Sequence, residues 1–199
     1  MTDELPPFLA DLNAALGHGF DLLATAVRLR TAPMHTPVVS TIARDGRPRA
    51  RVVVLRAFDR ERRQLRFHTD IRSDKFDELH ADPRIALAFY DAAQKIQLRI
   101  EGRATLHQDD HIADAAWASS QPISKLCYAV EPGPGRGITA RDDFFLPRDR
   151  SDSETGRAHF SAVIATIEEF DFLWLGAAGN RRAVYRFVDQ QSDARWVVP

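Results

Sequence analysis

Short strand-like segments follow one another along this chain, with few helical patterns between them. Residues 96–101 alternate apolar and polar at every position, so one face of that strand is expected to be buried and the other polar. The Asp45-Gly46 pair signals a tight turn and predicts a hairpin. Strands are expected over 37–42, 48–58, 64–69, 84–90, 95–107, 159–172, 184–188 and 195–198. Because strands and helices do not alternate regularly, we expect a mainly β fold, a closed antiparallel barrel with helices at its edges.

Helical patterns are confined to a few places. Apolar spacing predicts an amphipathic helix over 8–30, within an N-terminal helical segment 1–30, and Gly17 and Gly19 are expected to break or bend it. Ser73 is a good N-cap for a short helix that ends near His80. A loop region is expected over 131–157. Its part from 147 to 157 is charged and poor in apolar residues, which predicts a mobile or partner-stabilised loop.

Composition limits the class of protein. A chain of 199 residues with 44% hydrophobic residues fits one domain over 1–199 with a real core. No apolar run is long enough to cross a bilayer and the first ten residues carry no secretory pattern, so a cytoplasmic protein is expected. The single Cys127 excludes an internal disulfide framework. A net charge of −1 gives no electrostatic reason to expect nucleic acid or membrane as a partner.

The first candidate site is the β-branched strand that carries Arg49 and Arg51 at one end and Arg56 at the other. In a regular strand Arg49 and Arg51 share one face and Arg56 lies on the other, so all three would bind one ligand only if the strand bulged or twisted. The alternative is a central strand with solvated ends.

The second candidate is the segment 67–75, where a strand ends and a capped helix begins. Free backbone N–H groups and the positive end of the helix dipole would meet there, and Thr69, Ser73, Lys75 and Arg72 add donors. These features favour a phosphate site, although the carboxylate of Asp74 would repel an anion. A capped surface helix without a ligand is the alternative.

The third candidate is the polar face of Gln97, Arg99 and Glu101. The Gln97 amide can both donate to and accept from a heterocycle such as a flavin ring. Alternatively, Arg99 and Glu101 pair with each other on a solvated face.

Several other kinds of site are disfavoured. His107 and His111 are four residues apart, but a strand is expected to end at the first and a helix to begin after Asp109, so their geometry does not suit a metal. The chain has no Gly-x-Ser-x-Gly elbow, no Gly-x-Gly-x-x-Gly element and no Walker loop. A nucleic-acid binder that uses the arginines is the weakest hypothesis.

Taken in order, these stretches resemble the pyridoxamine 5'-phosphate oxidase-like, FMN-binding split-barrel superfamily. The resemblance runs through the 45–48 turn, the 51–56 strand, the 67–75 segment and the Gln97 strand, and resumes at Trp174 and Arg186. The spellings His-Thr-Asp, Arg-Ser-x-Lys and Gln-Leu-Arg-Ile-Glu-Gly look closest to a subfamily of uncharacterised oxidase-like proteins rather than the vitamin B6 enzyme itself.

The resemblance implies a split β-barrel homodimer with FMN at the subunit interface. Arg51 and Lys75 would bind the FMN phosphate, the backbone of 52–55 would run along the flavin, Gln97 would contact its ring, and both subunits would contribute. The cofactor residues implied are Arg51, Val52, Val53, Val54, Leu55, Arg56, His68, Thr69, Arg72, Ser73, Lys75, Gln97, Trp174 and Arg186. Two departures are that Asp74 stands where an arginine often assists the phosphate, and that Trp174 and Arg186 are farther apart than in the oxidase.

The substrate side departs further from the oxidase. Ile123 stands at the position of a substrate-binding arginine, and the sequence 181–184 lacks the expected histidine, so oxidation of pyridoxine phosphate is not expected. Arg181 or Arg182 remains a candidate for holding an anion. The function implied is a flavin-dependent oxidoreductase with an unidentified acid or base, for which His68 is one candidate. The alternative is a non-catalytic module or sensor that binds flavin, haem or deazaflavin.

Overall fold

A computed structural model describes residues 5–177, 179–188 and 191–199 of the chain. The strands and helices appear in the order β1 (Val38–Ile42), β2 (Pro48–Val52), β3 (Ala57–Asp59), β4 (Gln64–Asp70), β5 (Arg84–Asp91), β6 (Ile96–His107), β7 (Phe160–Trp174), β8 (Arg181–Val188) and β9 (Gln191–Val197), with α1 (Leu12–Arg28) before β1, α2 (Asp74–Ala81) after β4, and α3 (His111–Ala118) and α4 (Pro122–Lys125) after β6. Short 3₁₀ turns complete the described chain.

The nine strands form one antiparallel sheet, ordered β2-β1-β5-β6-β7-β4-β3, with β8 and β9 added beside β7. Strand β7 carries the branch, because its first half pairs with β4 and its second half with β8. The expectation of a mainly β architecture with flanking helices is confirmed.

The segment between β2 and β3 interrupts what the sequence predicts as one strand, 48–58. The N–H groups of Val53 and Leu55 donate to the carbonyls of Pro37 and His35, and the N–H of Arg56 donates to Arg66 in β4. The segment therefore crosses from the β1 side of the sheet to the β4 side. The prediction of a single strand is wrong, because these long-range backbone bonds take precedence over the local β-branched pattern.

Helix α1 packs on the sheet through both large and small residues, among them Phe20 and Gly19. Asp11 caps its start, and a 3₁₀ turn at Pro7–Leu9 precedes it. Neither Gly17 nor Gly19 breaks the helix, contrary to expectation. A side chain at Gly19 would meet the ring of Phe170 at 2.7 Å, so this glycine allows a close approach to β7 instead of a bend.

Contacts within the 131–157 region and with helices α3 and α4 hold it in place. Glu131 bridges to Phe145, and Ser153 is buried. The Glu154 carboxylate accepts hydrogen bonds from Trp117 of α3 and Lys125 of α4, each 2.6 Å long. Contacts within the chain thus hold the part that the sequence predicts as mobile or partner-stabilised. Among the described helices, none combines the length and the apolar character that crossing a bilayer requires.

Candidate functional site

A cluster of donors lies where β4 ends and α2 begins. The Lys75 ammonium is 3.1 Å from the Thr69 hydroxyl and 3.2 Å from that of Ser73, and the two hydroxyls are 3.0 Å apart. The Ser73 hydroxyl also donates to the carbonyl of Asp70 and makes no side-chain cap to α2. We call Arg51, Thr69, Ser73 and Lys75 the phosphate cradle, after the phosphate that the sequence predicts there. Of the second predicted site, Thr69, Ser73 and Lys75 lie together in it, whereas Arg72 does not.

Arg51 approaches the cradle from β2, on the face that it shares with Arg49 in the β1–β2 ladder. Its guanidinium donates to the buried carboxylate of Glu78 at 2.7 Å and to the hydroxyl of Thr41. Burial and the nearby Arg51 both lower the pKa of Lys75, partly offset by neighbouring carboxylates. Two cations therefore share a poorly solvated site, which is an environment that favours an anion.

Glu78 is the residue of this site that the sequence analysis missed. Burial raises the pKa of its carboxyl, but hydrogen bonds from Thr41 and Arg51 outweigh burial, so the net pKa is below the ordinary value. The carboxylate stays ionised and holds Arg51 toward α2. The spacing of Lys75 and Glu78, three residues apart on one helix face, places Glu78 near the site but does not tell it from a solvated carboxylate.

Arg72 makes its bonds beside the cradle. Its guanidinium donates to both oxygens of Asp70, at 2.9 and 2.7 Å, and to Glu131 at 2.7 Å. A side chain at Gly133 would meet Arg72 at 2.8 Å, so the loop after residue 131 packs on that guanidinium. Asp74 is exposed. Arg72 thus connects the start of α2 to the 131–157 region.

A second group of cations surrounds a cavity of about 280 Å³ next to the 53–56 segment. We call it the arginine cavity; its lining includes Arg28, Arg30, Arg56, Arg66, His68 and Gln121. No carboxylate belongs to its described lining. Burial, Arg66 and Arg56 together lower the pKa of His68 to about 3, so its imidazole is neutral at ordinary pH. Arg66 is a further residue that the sequence analysis did not single out.

The remaining predicted cofactor residues lie elsewhere in this chain. Gln97 lies opposite Tyr90 of β5 and Leu173 of β7, on the sheet face opposite to that of the buried Ile96 and Leu98. Arg51, in contrast, is aligned with Val39, which lies on the buried face. One copy of the chain therefore does not bring Gln97 to the phosphate cradle.

The residues of β7 and β8 are also separate from the cradle. Trp174 is paired with Arg181 in the ladder, and its ring lies where a side chain on Gly176 would be. Arg186 donates to Glu169 at 2.8 Å. Trp174 and Arg186 lie at opposite ends of the β7–β8 ladder, as their wide sequence spacing implies.

The other predicted arginines, Arg99, Arg181 and Arg182, have hydrogen-bond partners within the chain. Asp171 accepts from both Arg99 and Arg182, the latter at 3.0 and 2.8 Å. The expected alternative pairing of Arg99 with Glu101 is therefore wrong, since the cross-strand carboxylate of Asp171 lies closer. Arg181 donates to two carbonyls of the turn before β8.

His107, one of the two histidines considered above, is hydrogen-bonded to other side chains. His107 bonds to Thr105 at 2.9 Å and to Asp110 at 2.7 Å, and Asp110 also caps α3. Within the described residues, no three potential ligands gather into a metal-binding group.

Comparison with known proteins points to one family. A model described as pyridoxamine 5'-phosphate oxidase, FMN-binding domain, matches residues 21–108, which contain the phosphate cradle and Gln97 but not Trp174 or Arg186. A pyridoxine/pyridoxamine 5'-phosphate oxidase of Cupriavidus pinatubonensis is 28% identical over 181 residues, 87% of this chain and 81% of that enzyme. The corresponding enzyme of Myxococcus xanthus is 42% identical over 101 residues, 44% of this chain and 48% of the enzyme.

Solved structures agree on the fold. A pyridoxamine 5'-phosphate oxidase-related, FMN binding protein of Nostoc punctiforme is 25% identical and superimposes with a TM-score of 0.74, covering 98% of this chain and all of that one. PhzG of Burkholderia lata, solved with tetrahydrophenazine-1-carboxylic acid, has the same TM-score of 0.74 at 19% identity, covering 100% of this chain and 99% of its own. At that identity the likeness concerns the fold alone.

Proposed function

Because the chain belongs to the pyridoxamine 5'-phosphate oxidase-like, FMN-binding split-barrel superfamily, we propose that it binds FMN and acts as a flavin-dependent oxidoreductase. The observation that carries the proposal is the phosphate cradle: two cations and two hydroxyls converge at the start of a helix. The flavin supplies two-electron redox chemistry when bound, and the protein supplies its binding and orientation.

The cradle suits a phosphate for an electrostatic reason. Among the described residues, the Lys75 ammonium hydrogen-bonds to two neutral hydroxyls, while the Glu78 carboxylate forms its ion pair with Arg51. A phosphate would add negative charge beside both cations and accept several charge-assisted hydrogen bonds. The cationic Arg56 lies at the end of the 53–56 segment, along which the flavin would run.

The ring-binding residues support a homodimer. Gln97, Trp174 and Arg186 do not meet the cradle within one chain, so a second copy would have to bring them to it. Exposed apolar side chains near Gln97 suit such contact, since Val38, Val52 and Tyr90 are 38, 63 and 50% exposed. We therefore place the cofactor at the interface between two copies.

The substrate would differ from pyridoxine 5'-phosphate. Ile123, at the position where the oxidase has an arginine, is 61% exposed and offers no charge. Arg182, a candidate for anion binding, is already bonded to Asp171. His68 has a pKa of about 3 and so cannot donate a proton as a general acid near neutral pH.

The test is a titration of the purified protein with FMN and with riboflavin, followed by flavin absorbance and fluorescence. Lys75→Ala should weaken FMN binding about 10- to 100-fold, as expected for a lost charge-assisted contact, and leave riboflavin binding nearly unchanged. Lys95→Ala, which removes an exposed lysine outside the cradle, is the matched control. A protein that binds no added FMN, or a Lys75→Ala variant with unaltered preference for FMN, contradicts the proposal.

Catalysis needs its own measurement. We expect the FMN-loaded protein to turn over with at least one member of a panel of reduced nicotinamides and amines in the presence of oxygen. An FMN-loaded protein that is inactive with the whole panel would favour a binding or sensor module over an enzyme.

A further inference from the structure

We propose that Arg72 is a positioning residue of the cofactor site: it offsets the charge of Asp70 and fixes the 70–73 turn, and so prepares the phosphate cradle for a dianion. The inference rests on the proposed function and deepens it, because it names a residue outside the cradle that controls the preference for FMN over riboflavin. The sequence pattern places Arg72 among the donors of this site, whereas the structure shows its guanidinium bonded outside the cradle.

The backbone of Asp70 orients the two hydroxyls of the cradle. Its carbonyl accepts from the Ser73 N–H at 3.1 Å, from the Ser73 hydroxyl at 2.6 Å and from the Thr69 hydroxyl at 3.3 Å. A tilt of this one peptide group would therefore redirect both hydroxyls. The conformation of the 70–73 turn thus sets the geometry that a phosphate would meet.

The side chain of Asp70 carries a charge that opposes an anion. It is only 6% exposed. Burial and Arg51 lower the pKa of Lys75, and among the carboxylates that raise it again Asp70 has the largest effect, so this carboxylate lies close to the cradle. A poorly solvated carboxylate at that position would repel a phosphate, and a cation has to offset it if FMN is to bind tightly.

Arg72 supplies that cation. Its backbone N–H and its Nε donate to one oxygen of the Asp70 carboxylate, at 2.8 and 2.9 Å, and its Nη2 donates to the other oxygen at 2.7 Å. The hydrogen bond to Asp70 is the main reason why the pKa of Arg72 is raised. Since the Arg72 side chain is 17% exposed, dissolved ions screen this pair little.

The chain around residue 131 holds the other side of the guanidinium. Its Nη1 donates to the carboxylate of Glu131 at 2.7 Å, and its Nη2 also donates to the carbonyl of Tyr128 at 3.1 Å. Each of the three guanidinium nitrogen atoms therefore already donates to an acceptor outside the cradle. Arg72 would act on the phosphate through Asp70 and not by direct contact.

The same arrangement of three bonds recurs just after α2, where it provides a comparison. The backbone N–H, Nε and Nη2 of Arg84 donate to the carboxylate of Asp82 at 3.1, 3.0 and 2.6 Å. Here the arginine side chain is 65% exposed, and neither residue belongs to the cradle. An Asp-x-Arg pair by itself is thus local structure, and the burial of Asp70 beside Lys75 is what gives Arg72 its proposed role.

The test compares the affinities for FMN and riboflavin, measured by flavin fluorescence, in the full-length protein and its variants. Arg72→Gln should weaken FMN binding about tenfold or more, because it leaves the buried Asp70 charge unbalanced, and should change riboflavin binding less than about twofold. Adding Asp70→Asn removes that charge and should restore most of the lost preference for FMN. Arg84→Gln, the matched control, should leave both affinities unchanged. A role in folding alone would not move the ratio of the two affinities in this way.

A variant that changes no charge protects the test against misfolding. A methyl group on Gly133 would lie 2.8 Å from the Arg72 Nε, so Gly133→Ala should displace the guanidinium and lower the preference for FMN several-fold. Gly137→Ala, in the same loop, has nothing within 4 Å of the new methyl group and should have no effect.

Two results overturn the inference. One is an unaltered preference for FMN in Arg72→Gln or, where that protein does not fold, in Gly133→Ala. The other is a double variant that is as impaired as Arg72→Gln. A wild-type protein that binds no FMN rejects the proposed function instead, so the two failures are distinguishable.

Discussion

The His68 ring contacts the ring of Phe160 edge to face, and its buried Nε2 has no hydrogen-bond partner among the described residues. Burial is the main cause of its low pKa, and Arg66 and Arg56 add to the effect. The pKa of His68 falls from the ordinary 6.5 to about 3, so the folded chain keeps it neutral where an unfolded chain would take up a proton. The contribution of neutral His68 to the free energy of unfolding is complete above pH 6.5. It is lost as the pH falls from there toward 3, because only the unfolded state binds the proton in that range.

His68→Gln should therefore make the free energy of unfolding depend less on pH below pH 6.5. Between pH 6 and pH 4, wild type should lose up to about 1.4 kcal/mol of unfolding free energy per pH unit more than the variant does. Urea unfolding at several pH values measures this difference. His111→Gln removes an exposed histidine and should follow the wild-type curve. Parallel curves for wild type and His68→Gln would contradict the lowered pKa.

Whether the role of a single residue can be predicted from the sequence depends on how far along the chain its partners lie. Thr69, Ser73 and Lys75 are local neighbours, so their grouping at a helix start follows from the pattern of the chain. Glu78 is different, because its role depends on Thr41 and Arg51, which lie 37 and 27 residues earlier. Nothing local distinguishes such a carboxylate from a solvated one.

At the scale of secondary-structure elements, the alternation of polar and apolar residues predicts where a strand lies but not where it is interrupted. The 95–107 prediction differs from β6 by one residue, because the polar and apolar faces are clear. The 48–58 prediction misses the interruption at 53–56, since Val53, Val54 and Leu55 are good strand formers and their backbone partners lie outside the segment. The packing partner of Gly19 is likewise not predictable from the local sequence. The ring that leaves room only for a glycine belongs to Phe170, 151 positions farther along the chain.

Two glycines of α1 provide a matched pair for testing that contact. Gly19→Ala should destabilise the protein by about 1–3 kcal/mol, because the added methyl group meets Phe170 and overpacks the core. Gly17→Ala has nothing within 4 Å of the new methyl group and should stabilise the protein by about 0.5–1 kcal/mol through helix propensity. Chemical denaturation of both variants checks the signs. Equal effects would mean that α1 does not pack closely on β7.

For the molecule as a whole, the sheet separates two sets of proposed cofactor residues. Arg51 of the phosphate cradle lies on the sheet face that the core covers, and Gln97 lies on the opposite face of the sheet. Such a division is not visible from residue types, because it depends on the register of four strands. It makes the proposed site incomplete in a single copy.

Dimerisation and FMN binding should therefore fail together. Tyr90→Glu places a charge on the exposed apolar side of β5, opposite Gln97, and should shift the protein toward monomer while weakening FMN binding at least tenfold. Light scattering after size exclusion, with flavin absorbance, measures both. Val198→Glu, at an 89% exposed position near the C-terminus, should change neither. A monomeric wild type with full FMN affinity would refute the shared site.

Three ion pairs that hold the 131–157 region share one pattern of exposure. Arg72–Glu131, Lys125–Glu154 and Arg157–Asp114 each join a largely covered cation to a carboxylate that is 57, 65 and 71% exposed, respectively. Dissolved ions reach only the carboxylate side of each bond and screen it there. Concentrated sodium sulfate would therefore weaken these ion pairs by screening and strengthen the apolar core by its exclusion from the protein surface, so the two parts of one chain respond to the same salt in opposite directions.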